Sequence, residues 1–205
     1  MVGSLFTIKA IEGVSRPTIG AYMPKENGRL GLIVDAGINA DCKPENLSQF
    51  ATLGSLFVEH ILGYENPRVG LINLGEEEGK GNLLAQAAFP LLKENKSINF
   101  IGNIEGRDLL IDKADVMVCE GFTGNVILKL AESLHGIAGR QHSESEYFDR
   151  FDFEYYGGTP ILGITKPVII GHGISRAKSF LNMLRLTRKM IETDLMGKMK
   201  GSFLS

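Results

Sequence analysis

The sequence predicts an α/β fold in which a mostly parallel sheet is covered by helices on both faces. Three observations lead to this prediction. Short apolar runs alternate with segments of helical periodicity at least four times along the chain. Several runs are apolar at successive positions, which is typical of strands buried on both faces of a parallel sheet. Glycine is frequent, with 25 of 205 residues, and many glycines end an apolar run, where a strand turns into a helix.

Each element rests on its own pattern. Two apolar runs flank a polar Pro-Lys-Glu-Asn-Gly turn, which indicates two strands. Pro44 suits the first turn of a helix, whereas Pro90 is expected to kink or break the helix that contains it. The predicted strands are Thr18 to Met23, Leu30 to Asp35, Arg68 to Gly75, Ile98 to Asn103, Asp115 to Gly121 and a last buried strand from Lys166 to Gly173. The predicted helices are Pro44 to Leu62, Asn82 to Asn95, Asn125 to Leu134 and Ser175 to Met196, with a short helix or turn at 108–115 and a polar surface excursion at 135–158.

Composition narrows the class of protein. The chain suits one α/β domain over 1–205, and 43% hydrophobic residues can form a sizeable core. A net charge of -2 argues against a nucleic-acid binder, and no apolar run reaches the ~18 residues of a membrane span. Cys42 and Cys119 are far apart and form no CxxC motif, which favours a reducing, cytoplasmic compartment.

In parallel sheets ligands bind where strands end, so the loops after the strands carry the functional prediction. Gly75 to Asn82, GEEEGKGN, is similar to a P-loop but has three residues between its first glycines and no Ser or Thr after Lys80. Nucleoside triphosphate binding is therefore not expected. Lys80 can still meet an anion at the start of the next helix. A solvated charged turn is an equal alternative.

The loop Glu120 to Asn125, EGFTGN, joins a strand to a helix. Its Gly121 and Gly124 suit a tight turn, and Thr123 and Asn125 suit helix capping. Asn125 can instead direct its amide at a carbonyl oxygen or a phosphate. The same segment contains Cys119, which is expected to be a buried apolar residue and not a nucleophile.

Two further loops leave alternatives open. Gly171 to Ala177, GHGISRA, is a near miss for a dinucleotide fingerprint, so NAD binding is not expected. His172 and Arg176 can hold a phosphate, or His172 is a turn residue and Ser175 a helix N-cap. The loop DAGINADCKP carries Asp35, Asn39 and Asp41, for which capping within the loop is favoured over a metal site. Neither a metal nor a cofactor is expected.

The chain resembles the PlsX-type phosphate acyltransferases in six segments that follow the family order: RPTIGAYMP, DAGINADCKPENLSQFATLGS, RVGLINLGEEEGKGN, INFIGNIEGRDLL, ADVMVCEGFTGNVILKLAES and YYGGTPILG. The resemblance covers nearly the whole chain. It implies a three-layer αβα sandwich similar to isopropylmalate dehydrogenase. It also implies a reaction in which inorganic phosphate attacks the thioester of an acyl–acyl carrier protein, giving acyl phosphate for phospholipid synthesis. A cytoplasmic homodimer that associates peripherally with the membrane is further implied.

The resemblance assigns roles to particular residues. Lys80 and Asn125 match residues that the family uses at its active site. Lys80 is expected to neutralise phosphate and to stabilise the charge that develops on the thioester oxygen, and backbone N–H groups near Gly121 and Gly124 are expected to add to that stabilisation. The residues expected to bind substrate or phosphate are Gly79, Gly81, Asn82, Gly121, Thr123, Gly124 and His172.

The sequence departs from the family pattern in two places. The motifs D-x-M-G-G-D and S-x-G-N-T-G-A are missing, so the chain is expected to be the C-terminal part of a longer family domain. A short polar segment at 135–154 replaces the family's amphipathic hairpin, which weakens the expectation of membrane association.

Two alternatives to the acyltransferase remain open. One is a phosphotransacetylase-like enzyme that uses acyl-CoA. The other is a non-catalytic protein that dimerises or binds carrier protein. Arg185, Arg188 and Lys189 are expected either to bind an acidic carrier protein or to form the solvated face of the last helix.

Overall fold

A computed structural model describes residues 7–141 and 145–204. In these residues the chain forms a seven-stranded sheet with the order β4-β3-β5-β2-β1-β6-β7. The strands are β1 (Thr18–Pro24), β2 (Leu30–Val34), β3 (Arg68–Ile72), β4 (Asn99–Ile104), β5 (Val116–Val118), β6 (Thr159–Leu162) and β7 (Val168–Ile170).

The sheet is mixed but mostly parallel. Strands β4, β3, β5 and β2 lie side by side and run parallel. β1 is antiparallel to β2, β6 is antiparallel to β1, and β7 is antiparallel to β6. β6 therefore shares the direction of the parallel group, whereas β1 and β7 run the other way. The predicted class of sheet is confirmed.

Helices cover both faces of this sheet. They are α1 (Pro44–Phe57), which continues as a wider π-type turn over Val58–Leu62, then α2 (Leu83–Glu94), α3 (Gly121–Arg140), α4 (Glu146–Asp149), α5 (Ala177–Glu192) and α6 (Leu195–Phe203). Short 3-10 turns lie at Gly106–Asp108 and Phe153–Tyr155.

Alternation along the strands creates two cores. Leu32 and Val34 of β2 face a core that α1, α2, α5 and α6 complete, whereas Ile33 faces a second core that α3 helps to form. Met117 of β5 joins the second core, and Phe151 closes it. The three layers of the predicted sandwich follow from this alternation.

Several boundaries differ from the prediction. In the described part of the predicted surface excursion at 135–158, α3 continues to Arg140 and the side chain of Phe151 is buried. Residues 142–144 of this segment lie outside the described residues. Pro90 does not break α2. The last helix divides at Asp194, which has a positive φ of 49°. The last strand, β7, is only half-buried because it forms an edge of the sheet.

Candidate active site

The candidate site lies at the edge where the parallel strands end. β2, β5 and β3 are neighbours with the same direction, so the segments that follow them meet at one edge. These segments are 35–43, 73–82 and 119–121. The loop after β2 hydrogen bonds to the segment after β5, since the N–H of Gly121 donates to the carbonyl oxygen of Asn39 at 2.7 Å.

The loop after β3 presents Lys80 to solvent. Asn73 donates its side-chain amide to the carbonyl oxygen of Lys80 at 3.0 Å, and Gly81 adopts a φ of +101° beside that amide. Within the described residues the ammonium group of Lys80 makes no ion pair or side-chain hydrogen bond. Gly79 faces open space. Asn82 is the N-cap of α2, because its Oδ1 accepts from the N–H of Ala85 at 2.8 Å.

Two of the three glutamates of this loop form ion pairs with lysines other than Lys80. Glu76 forms an ion pair with Lys113 at 2.5 Å, and Glu78 forms one with Lys93 at 2.5 Å. These two contacts remove part of the negative charge that the run of three glutamates brings to the loop. A cation beside the start of α2 is thereby left available for an anion.

The start of α3 has a different environment. Glu120 is its N-cap: one carboxylate oxygen accepts from the N–H of Thr123 at 2.9 Å, and the other accepts from the Thr123 hydroxyl. The N–H of Gly124 donates to the carbonyl oxygen of Glu120 at 3.0 Å. The N–H groups of Gly121, Thr123 and Gly124 are thus all used within the protein. Because these three N–H groups already have acceptors in the protein, the support that N–H groups near Gly121 and Gly124 would give to the thioester oxygen stays a prediction.

Asn125 follows on the first turn of α3 and is exposed. Its side-chain amide donates a long hydrogen bond of 3.4 Å to the carbonyl oxygen of Ala36. The side chain lies against Gly37, where a Cβ atom would approach the Asn125 nitrogen to 2.8 Å. Asn125 therefore belongs to the same edge as Lys80, although the two residues make no direct contact in the structure.

A groove of about 530 Å³ opens between the starts of the two helices. Asn82 and Glu120, the two N-caps, both line it. The exposed side chains of Leu83 and Phe122 form its apolar rim, with exposed fractions of 86% and 67%. The groove is therefore lined by both polar and apolar side chains, which suits a ligand that is both polar and aliphatic.

The two thiols do not behave as nucleophiles. Burial, followed by the nearby Glu120 and Asp35 carboxylates, holds the pKa of Cys119 well above its usual range. Burial and the Asp35 carboxylate raise the pKa of Cys42 to about 11. A thiol reacts as its thiolate, so neither residue is activated for attack. The described residues also contain no group of three or more His, Cys, Asp or Glu side chains arranged to hold a metal ion.

His172 is separated from the other candidates. It follows β7, which runs antiparallel to the parallel strands, so it lies near the ends of the sheet where the parallel strands begin. The expectation that its loop converges with the others is wrong. Ser175 is not the N-cap of the last helix either, because that helix begins at Ala177 with Arg176 in the cap position.

Two features at this end of the strands were not predicted from sequence: the cation of Arg16 and the contact of Asp35 with the start of α3. Arg16 donates to the carbonyl oxygen of Asp41 at 2.9 Å and brings a second cation to the loop after β2. Its position directly before β1 was the available signal. Asp35 is fully buried and caps its own loop, as the favoured prediction for that loop required, but its link to α3 depends on contacts distant in sequence.

The described residues contain no helix that is long and apolar enough to cross a membrane.

Comparisons with known proteins place the chain in a family. A family model described as "Fatty acid synthesis protein" matches residues 1–145. The phosphate acyltransferase of Desulforamulus reducens is 42% identical over 98% of this chain and 66% of its own length. The phosphate acyltransferase of Aquifex aeolicus is 45% identical over 95% of this chain and 63% of its own length. The chain thus spans just under two thirds of these curated relatives.

Solved structures agree on the fold. A branched-chain phosphotransacylase from Enterococcus faecalis V583 superposes with a TM-score of 0.64 at 15% identity, covering 93% of this chain and 70% of that one. The EutD phosphotransacetylase from Staphylococcus aureus gives a TM-score of 0.61 at 18% identity, covering 91% of this chain and 58% of that one. The family model, which matches more than half of the chain, shows that the chain belongs to the fatty acid synthesis protein family, and the two curated relatives named above are phosphate acyltransferases.

Proposed function

We propose that the chain contributes the active-site edge of a phosphate acyltransferase that takes its acyl group from acyl–acyl carrier protein. A phosphate oxygen forms a bond to the thioester carbonyl carbon, and the carbon–sulfur bond breaks. The thiolate leaves with the carrier protein and takes up a proton, and acyl phosphate is the second product. Phosphate is itself the nucleophile, so the raised pKa values of Cys42 and Cys119 are consistent with this chemistry.

The observation that carries the proposal is the unpaired Lys80 beside the start of α2. Its ammonium group has no ion pair in the described part of the chain, while two neighbouring glutamates pair with other lysines. The first-turn N–H groups of α2 add partial positive charge at the same place. Lys80 would hold phosphate, with Gly79, Gly81 and Asn82 shaping the loop around it.

Asn125 is proposed to act on the acyl carbonyl. Its amide is exposed at the same edge and is held by a single long hydrogen bond, so it is available to donate to the thioester oxygen as negative charge develops. Gly121, Thr123 and Gly124 contribute by building the turn beneath Asn125, because their N–H groups are already used. Losing one such donor typically costs about 3 kcal/mol of transition-state stabilisation.

A carrier-protein partner is supported by charge. Residues 174–204 contain 7 Lys and Arg against 2 Asp and Glu, whereas the whole chain has 22 against 24. Arg185, Arg188 and Lys189 are exposed on α5, next to the exposed Leu184. An acidic carrier protein would dock on this surface with salt-sensitive affinity. We further propose a cytoplasmic homodimer, for which the exposed apolar side chains of α3 offer one surface. Peripheral association with the membrane is a separate proposal.

The deciding experiment measures acyl phosphate, trapped with hydroxylamine, from a long-chain acyl–carrier protein and inorganic phosphate. The 205-residue chain is compared with a version extended upstream in its gene. Lys80→Ala and Asn125→Ala are expected to lose at least about 100-fold in kcat/KM, whereas Lys96→Ala, another exposed lysine, should keep full activity.

The other functions give distinct results in the same assay. Turnover with acyl-CoA but not with carrier-protein thioester indicates a CoA-dependent phosphotransacylase. Folded protein that binds carrier protein without turnover in either length indicates a non-catalytic module. Full activity of Lys80→Ala contradicts the proposed site even if the reaction is correct.

A further inference from the structure

Asp35 is a buried carboxylate that no step of the proposed reaction uses. Its side chain is fully inaccessible to solvent. Oδ1 accepts from the N–H groups of Gly37 at 3.0 Å and Ile38 at 3.1 Å, with a longer contact of 3.4 Å from Ile19. Oδ2 accepts from the N–H and from the side-chain amide of Asn39, both at 2.7 Å. Five donors therefore converge on one carboxylate and fix the loop that follows β2.

This loop is the support on which α3 begins. The carbonyl oxygen of Asn39 receives the N–H of Gly121, the first residue of the helix. A Cβ atom on Gly121 would lie within 2.8–3.0 Å of three backbone atoms of Asn39. A Cβ atom on Gly124 would overlap the carbonyl oxygen of Asp35 itself. The first turn of α3 thus rests on the backbone of the loop without intervening side chains.

Asn125 touches the same loop. Its side-chain amide donates to Ala36 and lies against Gly37, which is held by the Asp35 carboxylate. The Asn125 amide therefore contacts the backbone of Ala36 and Gly37. That backbone is in turn organised by Asp35.

We propose that Asp35 is the positioning residue of the site: its carboxylate fixes the 36–39 loop and through it sets where the Asn125 amide meets the acyl carbonyl. This inference rests on the proposed function, in which Asn125 acts on that carbonyl. A carboxylate is required because all five partners are donors, and both oxygens must accept. An asparagine in its place would turn an N–H donor toward at least two N–H groups of the loop.

A double-mutant cycle tests the proposal in the longest version that shows activity. Asp35→Asn is expected to lower kcat about 10–100-fold, as a displacement near 1 Å does at a reacting centre, and to leave the KM for phosphate within about threefold because Lys80 is on another loop. Asp35→Asn combined with Asn125→Ala should be no slower than Asn125→Ala alone, since both changes remove the same interaction. Glu45→Gln is the matched control, because Glu45 is an exposed carboxylate directly after the same loop and does not line the groove.

The outcomes separate the two proposals. If Asn125→Ala keeps full activity, the proposed role of Asn125 fails. If Asn125→Ala is slow, two results overturn the positioning role of Asp35 and leave the proposed function standing. In the first, Asp35→Asn is as fast as the unmodified protein. In the second, the loss of rate in Asp35→Asn adds in full to the loss in Asn125→Ala. Should Asp35→Asn not fold, Asn39→Ala, which removes one donor to Asp35, enters the same cycle.

Amide hydrogen exchange gives a readout independent of turnover. The N–H of Gly121 donates to Asn39, so it should exchange at least about 10-fold faster in folded Asp35→Asn or Asn39→Ala than in Glu45→Gln. Equal exchange at Gly121 in these proteins overturns the inference whatever the activities are.

Discussion

Gly124→Ala tests how closely α3 rests on the loop after β2. The added Cβ atom would overlap the carbonyl oxygen of Asp35 and lie 2.9 Å from its carbonyl carbon, and both are backbone atoms that no side-chain rotation can move. Cβ atoms in real proteins essentially never approach another heavy atom closer than 3.0 Å. To reach that distance from the Asp35 carbonyl oxygen, the first turn of the helix must move by about 1 Å. Strain of this kind costs about 1–3 kcal/mol.

Gly139→Ala is the matched change. Gly139 lies in the same helix, and a Cβ atom there would have no neighbour within 4 Å. Alanine is a better helix former than glycine, so this variant should gain up to about 1 kcal/mol. Urea unfolding of the two variants is therefore expected to give shifts of opposite sign relative to the unmodified chain.

Activity and stability should separate in Gly124→Ala. A 1 Å displacement of the first turn carries Asn125 with it and should reduce kcat by about 100-fold, whereas Gly139→Ala should keep full activity. The reasoning is refuted if Gly124→Ala unfolds at the same urea concentration as the unmodified chain with equal activity. It is also refuted if both glycine variants lose stability equally.

Three further changes test the interior and the helices. Burial, partly offset by the nearby Asp115 carboxylate, lowers the pKa of Lys25 from its ordinary 10.5 to about 8. Between pH 8 and pH 10.5 the unfolded chain therefore binds more protons than the folded chain, and the free energy of unfolding should rise by about 3 kcal/mol over this range. Urea titrations of Lys25→Met should lack this rise. Asp115→Ala leaves the guanidinium and N–H of Arg68 without their buried acceptor and should lower the free energy of unfolding by about 2–3 kcal/mol. Asp112→Ala, at the exposed end of the same network, should lower it by less than about 1 kcal/mol. Thermal unfolding of both variants measures the difference. Pro90→Ala restores a backbone donor inside an uninterrupted α2 and should raise the free energy of unfolding by at least about 1 kcal/mol, with an unchanged Tm as the contrary result.

The parallel strands were predictable because burial on both faces leaves a continuous apolar run in the sequence. β6 was missed because it has only four residues, follows two glycines and contains Pro160, all of which indicate a turn. The start of α3 was placed four residues late for a related reason. Gly121 and Gly124 suggested a turn, but they lie inside the helix, where their lack of a side chain permits backbone contact with the loop after β2.

The site was predictable in part. The rule that ligands bind where parallel strands end placed Lys80 and Asn125 at the same end of the sheet, and the structure agrees with that placement. It misplaced His172, because the rule holds only for strands that run in the common direction and β7 does not. The hydrogen bonds that join Asp35 to the start of α3 connect segments about 85 residues apart, and no local pattern in the sequence indicates such a contact. The roles of Lys80 and Asn125 stay predictions.

The two neighbouring helix starts carry opposite signs. α2 begins with a neutral asparagine cap beside a lysine, whereas α3 begins with the Glu120 carboxylate, which accepts from the N–H and the hydroxyl of Thr123. An extended polyanion laid across both starts would meet attraction at one end and repulsion at the other. In the proposed function, a compact anion with a single phosphorus centre would bind beside α2 alone, and an uncharged group would lie on the Glu120 side. This polarity would discriminate against pyrophosphate and nucleotide phosphates, and it would fix the direction in which a thioester enters the groove.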